Sequence, residues 1–265
     1  ISLGTMIVIL TRNIDVSSGS VLGLSAAVLG LSLNAGLGLP LAIVFCLLTG
    51  AAAGAFNGLM VAYLGIPSFI VTLGTMVIFR GLVLLYTKGA PVSIADRDFL
   101  LVYTGRSLGI PNAVLIAIMA TLVAAVIFNH TVFGREVRAI GGGERVALLS
   151  GIRVDRVKLW VFVLCGALCG LAGLLQSART MAATAQLAQG LELDVIAAVV
   201  VGGTPLTGGI GRIRGTVLGV LIIAILSNGM NMTGVDPYLQ NILKGLVLIV
   251  AVFLTIDRSK ISIIK

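Results

Sequence analysis

Few side chains in this sequence have the chemistry to handle a polar solute, and they fall inside or beside apolar runs. The stretch TRNIDVSSGS, Thr11 to Ser20, sets Arg12 and Asp15 before three serines and a glycine. An ionisable group near a bilayer is unfavourable unless it is paired, wet or capping a helix. Asp15 therefore has two readings: it accepts backbone N–H bonds at the start of the next helix, or it lines a translocation path. Asn57, Thr72, Thr75, Asn228 and Asn231 form a second set of pathway candidates. Amides and hydroxyls aimed into a helix bundle can hydrogen-bond a passing solute, and they serve equally as links between helices. Arg80 and Lys244 read as snorkelling cations, Glu192 and Asp194 as carboxylates at the positive end of a helix, and His130 as an interface residue.

Catalysis finds no support. No acid pair, nucleophile–base set or metal constellation is visible, so neither catalytic nor metal residues are assigned. The glycine-rich GGTPLTGGIGRIRG, Gly202 to Gly215, fails as a phosphate loop, because Gly208 is followed by Gly209 and Ile210 where Lys and Ser/Thr are required. It reads instead as a re-entrant or cytoplasmic turn with Arg212 and Arg214 marking the inner face. Cys46, Cys165 and Cys169 lie in apolar runs and read as small buried packing residues.

The elements that must position these groups are set by composition. Of 265 residues, 58% are hydrophobic and 11% charged, with mean hydropathy +1.14. Soluble domains carry roughly a quarter charged residues, so a soluble fold is excluded, and a polytopic all-α membrane bundle remains. The net charge of +8 gathers between apolar runs rather than over one face, which argues against nucleic acid and for the positive-inside rule. A span needs about 20 apolar residues. Runs near 16–33, 39–63, 69–86, 112–130, 158–177, 190–203, 215–232 and 239–256, with a truncated one at 1–11, give about nine spans, and all six prolines fall at or between their ends. Placing 134–157 and the tail after 257 in the cytoplasm puts 87–111 outside, and the odd total implies one or more spans before Ile1. Residues 1–265 are thus expected to form one transmembrane domain. Four-residue glycine steps (Gly19 and Gly23; Gly50, Gly54 and Gly58; Gly166 and Gly170; Gly215 and Gly219) predict close helix packing.

The connection 134–157 is longer than a linker needs to be. Its centre, Glu144 to Ser150, is expected to form two short helical turns with Val146 and Leu149 on an apolar side, suited to a groove on a soluble partner.

Five ordered stretches carry a resemblance that spans nearly the whole chain: Thr11 to Ser20, TLGTMVIFRG (Thr72 to Gly81), GREVRAIGGGERVALLSGIRVDRVK (Gly134 to Lys158), VVVGGTPLTGGIGRIRG (Val199 to Gly215) and NGMNMTGVDPYLQNILKGLVLIVAV (Asn228 to Val252). In that order they resemble the motifs of ribose-type permeases of bacterial ABC sugar importers, and TRNIDVSSGS also looks like the matching segment of autoinducer-uptake permeases. The resemblance implies about ten helices per subunit in the bacterial inner membrane. It also implies a second permease subunit, identical or related, a periplasmic solute-binding protein, and a cytoplasmic ATP-binding subunit that holds ATP and Mg, so this chain itself needs no cofactor. On that pattern 134–157 looks like the coupling loop, with Gly141, Gly142, Glu144, Ala147, Leu149, Ser150 and Gly151 against the ATPase. Gly143 and Leu148 stand where members often carry Asn and Arg, so the polar contacts to the partner differ here. With aromatics at 5%, a ring-stacking sugar site within the chain is not expected, and solute capture falls to the binding protein. The rival reading is an ion-coupled secondary transporter, for which only Asp15 offers a midplane relay; a channel or a structural membrane subunit is a third.

Overall fold

The computed structural model describes residues 1–107 and 109–255, with side chains as far as 253. Each apolar run is helical where it is described. They are α1 (Ser2–Leu10), α2 (Ser18–Asn34), α3 (Leu39–Ala62), α4 (Ser68–Thr87), α6 (Asn112–His130), α9 (Val154–Thr180), α10 (Leu191–Val201), α11 (Ile213–Met232) and α12 (Pro237–Thr255). Five of them, α3, α4, α6, α9 and α11, are long and apolar enough to cross a membrane. Prolines mark the starts: Pro40 lies in the first turn of α3, Pro67 and Pro111 immediately precede α4 and α6, and Pro237 opens α12. At such positions the missing N–H has no helical partner to lose.

The centre of the bundle is α9, against which α3 lies closest. The reason is steric. A Cβ built on Gly54 would sit 2.2 Å from the carbonyl oxygen of Phe162, and one on Gly50 would sit 2.3 Å from that of Gly166, so the backbones touch where glycine permits it. α2 meets α9 in the same way, with Gly173 against the carbonyl of Leu22. On α11, Gly219 packs on the carbonyl of Ala198 in α10. All four glycine steps therefore face protein. The outward faces of α4, α6, α11 and α12 carry exposed apolar side chains such as Val77, Leu122, Ile225 and Ile249, the surface that a hydrocarbon solvent leaves favourable.

The connections hold more structure than the apolar pattern gives. In the 87–111 segment, α5 (Arg97–Thr104) is capped by Asp96, whose carboxylate accepts the Phe99 N–H at 2.9 Å. Strand β1 (Val92–Ser93) pairs antiparallel with β4 (Ala182–Ala183), setting the end of α4 and the end of α9 on one side of the bundle. A small hairpin, β2 (Arg106–Ser107) with β3 (Ile110–Pro111), leads into α6. The 134–157 connection is mostly helical: α7 (Val132–Gly142) is amphipathic, and α8 (Glu144–Leu149) covers the two turns expected there.

Candidate functional site

Between α1 and α2 the chain unwinds for residues 11–17 and then resumes as a helix. Only Arg12 of this segment is exposed and Ile14 half-buried; the rest is enclosed by protein. Broken helices persist at such depth only where neighbours satisfy the freed backbone. That is what α4 does. Ser68 Oγ accepts the Ile14 N–H at 3.0 Å, and the Thr72 hydroxyl lies 3.2 Å from the Ile14 carbonyl while also meeting its own Ser68 carbonyl at 2.9 Å. Thr75 turns back to Thr72 within α4 and is buried.

Asp15 is at the heart of the break. Its Oδ1 accepts the Ser17 N–H at 2.8 Å and the Ser17 hydroxyl at 2.6 Å, and the Cys165 thiol of α9 donates to Oδ2 at 3.6 Å. Ser17 Oγ in turn accepts Asn57 Nδ2 of α3 at 2.8 Å. One carboxylate thus ties together the start of α2, the middle of α9 and the end of α3. Asp15 does not cap α2: it accepts from Ser17, the residue before the helix, and no side chain accepts a helical N–H at this end. Three polar atoms around this break, Ser18 Oγ, Asn57 Oδ1 and Glu192 Oε2, are buried without a hydrogen-bond partner. A Cβ on Gly19 would lie 2.4 Å from that Glu192 oxygen, which places the carboxylate of α10 against the start of α2.

Asn228 and Asn231 do not join this cluster. Asn228 is exposed on α11, and the Asn231 side-chain oxygen accepts Gln240 Nε2 of α12 at 3.0 Å, an ordinary interhelical link. The two isolated cations also depart from expectation. Lys244 does not snorkel alone but pairs with Asp194 of α10 at 2.7 Å, both half-buried. Arg80 keeps Nε and Nη2 buried without a partner. A lone cation in an apolar run carries no sequence signal for a carboxylate on another helix, so the pairing was illegible. His130 is exposed at the end of α6.

The α7–α8 hairpin divides the coupling residues in two. Gly142, Glu144, Leu149, Ser150 and Gly151 are exposed, whereas Gly141 and Ala147 are buried within the chain. Ala147 is only 2% exposed and packs into the main core, so it anchors α8 rather than displaying it. The outward apolar residues are Val146, Leu148 and Leu149, 68%, 61% and 82% exposed. Glu144 pairs with Lys158 at the start of α9 at 2.7 Å, fixing one end of α8.

Gly141 is buried because a three-way junction forms around it. A Cβ there would meet the Leu10 carbonyl at 2.5 Å and the Gly209 Cα at 3.0 Å. Gly209 of the 202–212 turn donates its N–H to the same Leu10 carbonyl at 3.2 Å. Arg12, in left-handed backbone at φ 60°, donates from Nε to the Gly141 carbonyl at 3.1 Å and from Nη2 to the Gly142 carbonyl at 3.3 Å. A guanidinium on the free carbonyls at the end of α7 suits the negative pole of that helix. The junction therefore clasps the coupling hairpin, the glycine-rich turn and the entrance to the unwound segment. In the glycine-rich turn Gly208 and Gly209 hold φ 76° and 85°, backbone that favours glycine.

The fold is that of an apolar helical bundle with five helices long enough to cross a membrane, the class to which membrane transport permeases belong. The comparisons make it specific: the family model for the branched-chain amino acid transport system / permease component matches residues 1–252. The chain belongs to this family and is the permease component of an ABC import system. It is 43% identical to the ribose import permease of Bacillus subtilis (strain 168) over 98% of this chain and 81% of the relative. Against the ribose import permease of Escherichia coli (strain K12) it is 42% identical, with the same coverage of both chains. The autoinducer 2 import system permease of Yersinia pseudotuberculosis is 36% identical over 94% of this chain and 71% of the relative. No solved structure gives a significant match.

Proposed function

We propose that this chain forms the translocation path of an ATP-driven importer for ribose or a ribose-like solute in a bacterial inner membrane. A periplasmic protein delivers the solute, and a second permease subunit completes the path. ATP, with Mg, is hydrolysed on a separate cytoplasmic subunit. The likeness to ribose permeases at 43% identity, against 36% to an autoinducer permease, supports this choice of solute class.

The geometry supports a mechanism. The ATPase docks on Val146, Leu148 and Leu149, and closure of its cleft displaces α8 and, through it, α7. Arg12 and the Leu10–Gly209 contact pass that displacement to the segment 11–17. There, a break held by a few side-chain hydrogen bonds, with Ser68 accepting from Ile14, Thr72 donating to it and Ser17 donating to Asp15, repacks at a lower cost than an intact helix. The solute path opens beside Asp15, Asn57 and Thr72. Uptake of labelled ribose by proteoliposomes holding the whole complex tests this. ATP-dependent accumulation is expected, and accumulation by this chain alone under an ion gradient would establish the secondary-transport reading instead.

A further inference from the structure

Where α7 begins and α9 begins, the surface carries a cavity of about 270 Å³ lined by Phe133, Glu136, Gly151, Arg153, Arg156, Val157 and Trp160. Its chemistry differs from that of the other main hollows, which are walled largely by leucine, valine, isoleucine and alanine. The depth of this one is set by its helices. Phe133 follows the end of α6 by three residues, and Trp160 lies in the second turn of α9, both candidate spans. Trp160 is 54% exposed, while the next residues of α9, Val161 and Phe162, are fully buried, so its ring faces away from the bundle. Aromatic side chains at span ends of this kind lie at headgroup level. Arg153 and Arg156 are exposed, and among the described residues neither has a carboxylate at ion-pair distance, because the two ion pairs present use Lys158 and Lys244. Arg138, on the neighbouring turn of α7, is already engaged over the Phe128 ring at 4.7 Å.

We infer that this notch binds the headgroup of a membrane phospholipid, with Arg153 and Arg156 on the phosphodiester and Glu136 accepting from the distal donor of the headgroup. Guanidinium forks match phosphate oxygens in shape and charge. A carboxylate in the same hollow repels a bare anion, so the ligand must bring a donor beyond its phosphate. An ammonium or a glycerol hydroxyl supplies one; a quaternary choline does not. Trp160 and Phe133 flank the start of the acyl chains. The site lies between the span ends and the α7–α8 hairpin, so a bound lipid braces the seat of the hairpin against the bilayer.

Native mass spectrometry of the intact transporter complex, supplied in turn with phosphatidylethanolamine, phosphatidylglycerol and phosphatidylcholine, tests the assignment. The expected result is retention of the first two by the permease and at least fivefold less of the choline lipid. In Arg153→Gln/Arg156→Gln, retention of both should fall at least fivefold, while the thermal midpoint in lipid-free detergent stays unchanged because both side chains are exposed. Glu136→Gln, which leaves the arginines intact, should lower phosphatidylethanolamine retention severalfold and so reads the site even if the double variant folds poorly. Equal retention of all three lipids, equal retention by the variants, or displacement of the lipid by millimolar inorganic phosphate would overturn the proposal; the last would make the notch a site for soluble anions.

Discussion

At the residue scale, Arg12 ties the entrance of the unwound segment to the α7–α8 hairpin. It stands in left-handed backbone, which any side chain with a Cβ disfavours, and its guanidinium spans to two carbonyls of α7. Arg12→Ala keeps the strained backbone and removes the clasp. The loss is expected to be about 1.5–3 kcal/mol for hydrogen bonds to a charged group, discounted because Arg12 is exposed and water replaces part of it. The fold, held by α3, α9 and α2, should survive. Transport should fall at least tenfold while ATPase association stays intact, measured by uptake and pull-down on the same preparation. Uptake at the wild-type level would remove Arg12 from the mechanism. Asn57 poses a different test, for its Nδ2 bonds to Ser17 while its Oδ1 is buried and unpartnered. Asn57→Leu fills similar volume with no polar atom, so it should leave thermal stability within about 1 kcal/mol while reducing uptake, since an unmet buried acceptor and a donor are removed together. A large drop in stability with normal specific uptake would make Asn57 an interhelical link only.

At the scale of elements, the apolar helices were legible in the sequence, five of them long enough to span, as were the two turns of α8; most of the other connecting elements were not. Hydrocarbon demands long apolar runs with satisfied backbone, so the runs and the proline positions mark helices directly. The elements α5, α7 and the two strand pairs are short and mixed in polarity, and what holds them is tertiary: Val92 pairs with Ala183, far away in sequence. The break at 11–17 was half legible. Its polar composition announced a special segment, but that Ser68 and Thr72 would receive Ile14 could not be read from spacing. The inward face of α8 was missed for a related reason, since an alanine suits a tight external contact and a tight internal one equally. The expectation that Ala147 meets the partner is corrected accordingly. Ala147→Arg should now unseat α8 at a cost above the ~1–3 kcal/mol of ordinary overpacking, visible as increased proteolysis of the hairpin in the isolated permease. Leu149→Asp, on the outward face, should leave proteolysis unchanged and abolish ATPase pull-down. The reverse pattern would mean that α8 docks by its other side. Helix packing is the firmer prediction. With Gly54 Cβ placed 2.2 Å from the Phe162 carbonyl, Gly54→Leu cannot be absorbed by a rotamer change and must separate α3 from α9. Loss of folded protein in detergent is expected, and a wild-type melting midpoint would mean that the two helices are not in contact.

At the scale of the whole molecule, the function proposed above puts the source of energy and the place of passage in different subunits. On the proposed reading the work enters through contacts with the ATP-binding subunit, and the packing around α8 supplies a route for it. The α8 face turns Val146, Leu148 and Leu149 outward, and contacts lead inward from the hairpin: Ala147 into the core, Gly141 to Leu10 and Gly209, Arg12 to the hairpin carbonyls, and the break to α4, α3 and α9. A proton-driven carrier would instead need an ionisable group that alternates between two aqueous sides. Asp15 is held by three donors, two from Ser17 and one from Cys165, and is enclosed by protein, an arrangement suited to fixing a segment rather than to exchanging protons. Uptake by the reconstituted complex should therefore require hydrolysable ATP inside the vesicles or on the ATPase side. It should stop with a non-hydrolysable analogue and continue when a protonophore collapses the pH gradient. Asp15→Asn sharpens the comparison, because the amide oxygen can still accept from Ser17 while the charge is gone. If Asp15 fixes the break, this variant should retain a substantial fraction of ATP-driven uptake, and its pH profile should match the wild type. If Asp15 relays protons, uptake should vanish in the variant and in wild type treated with protonophore alike, which would return the molecule to the ion-coupled class.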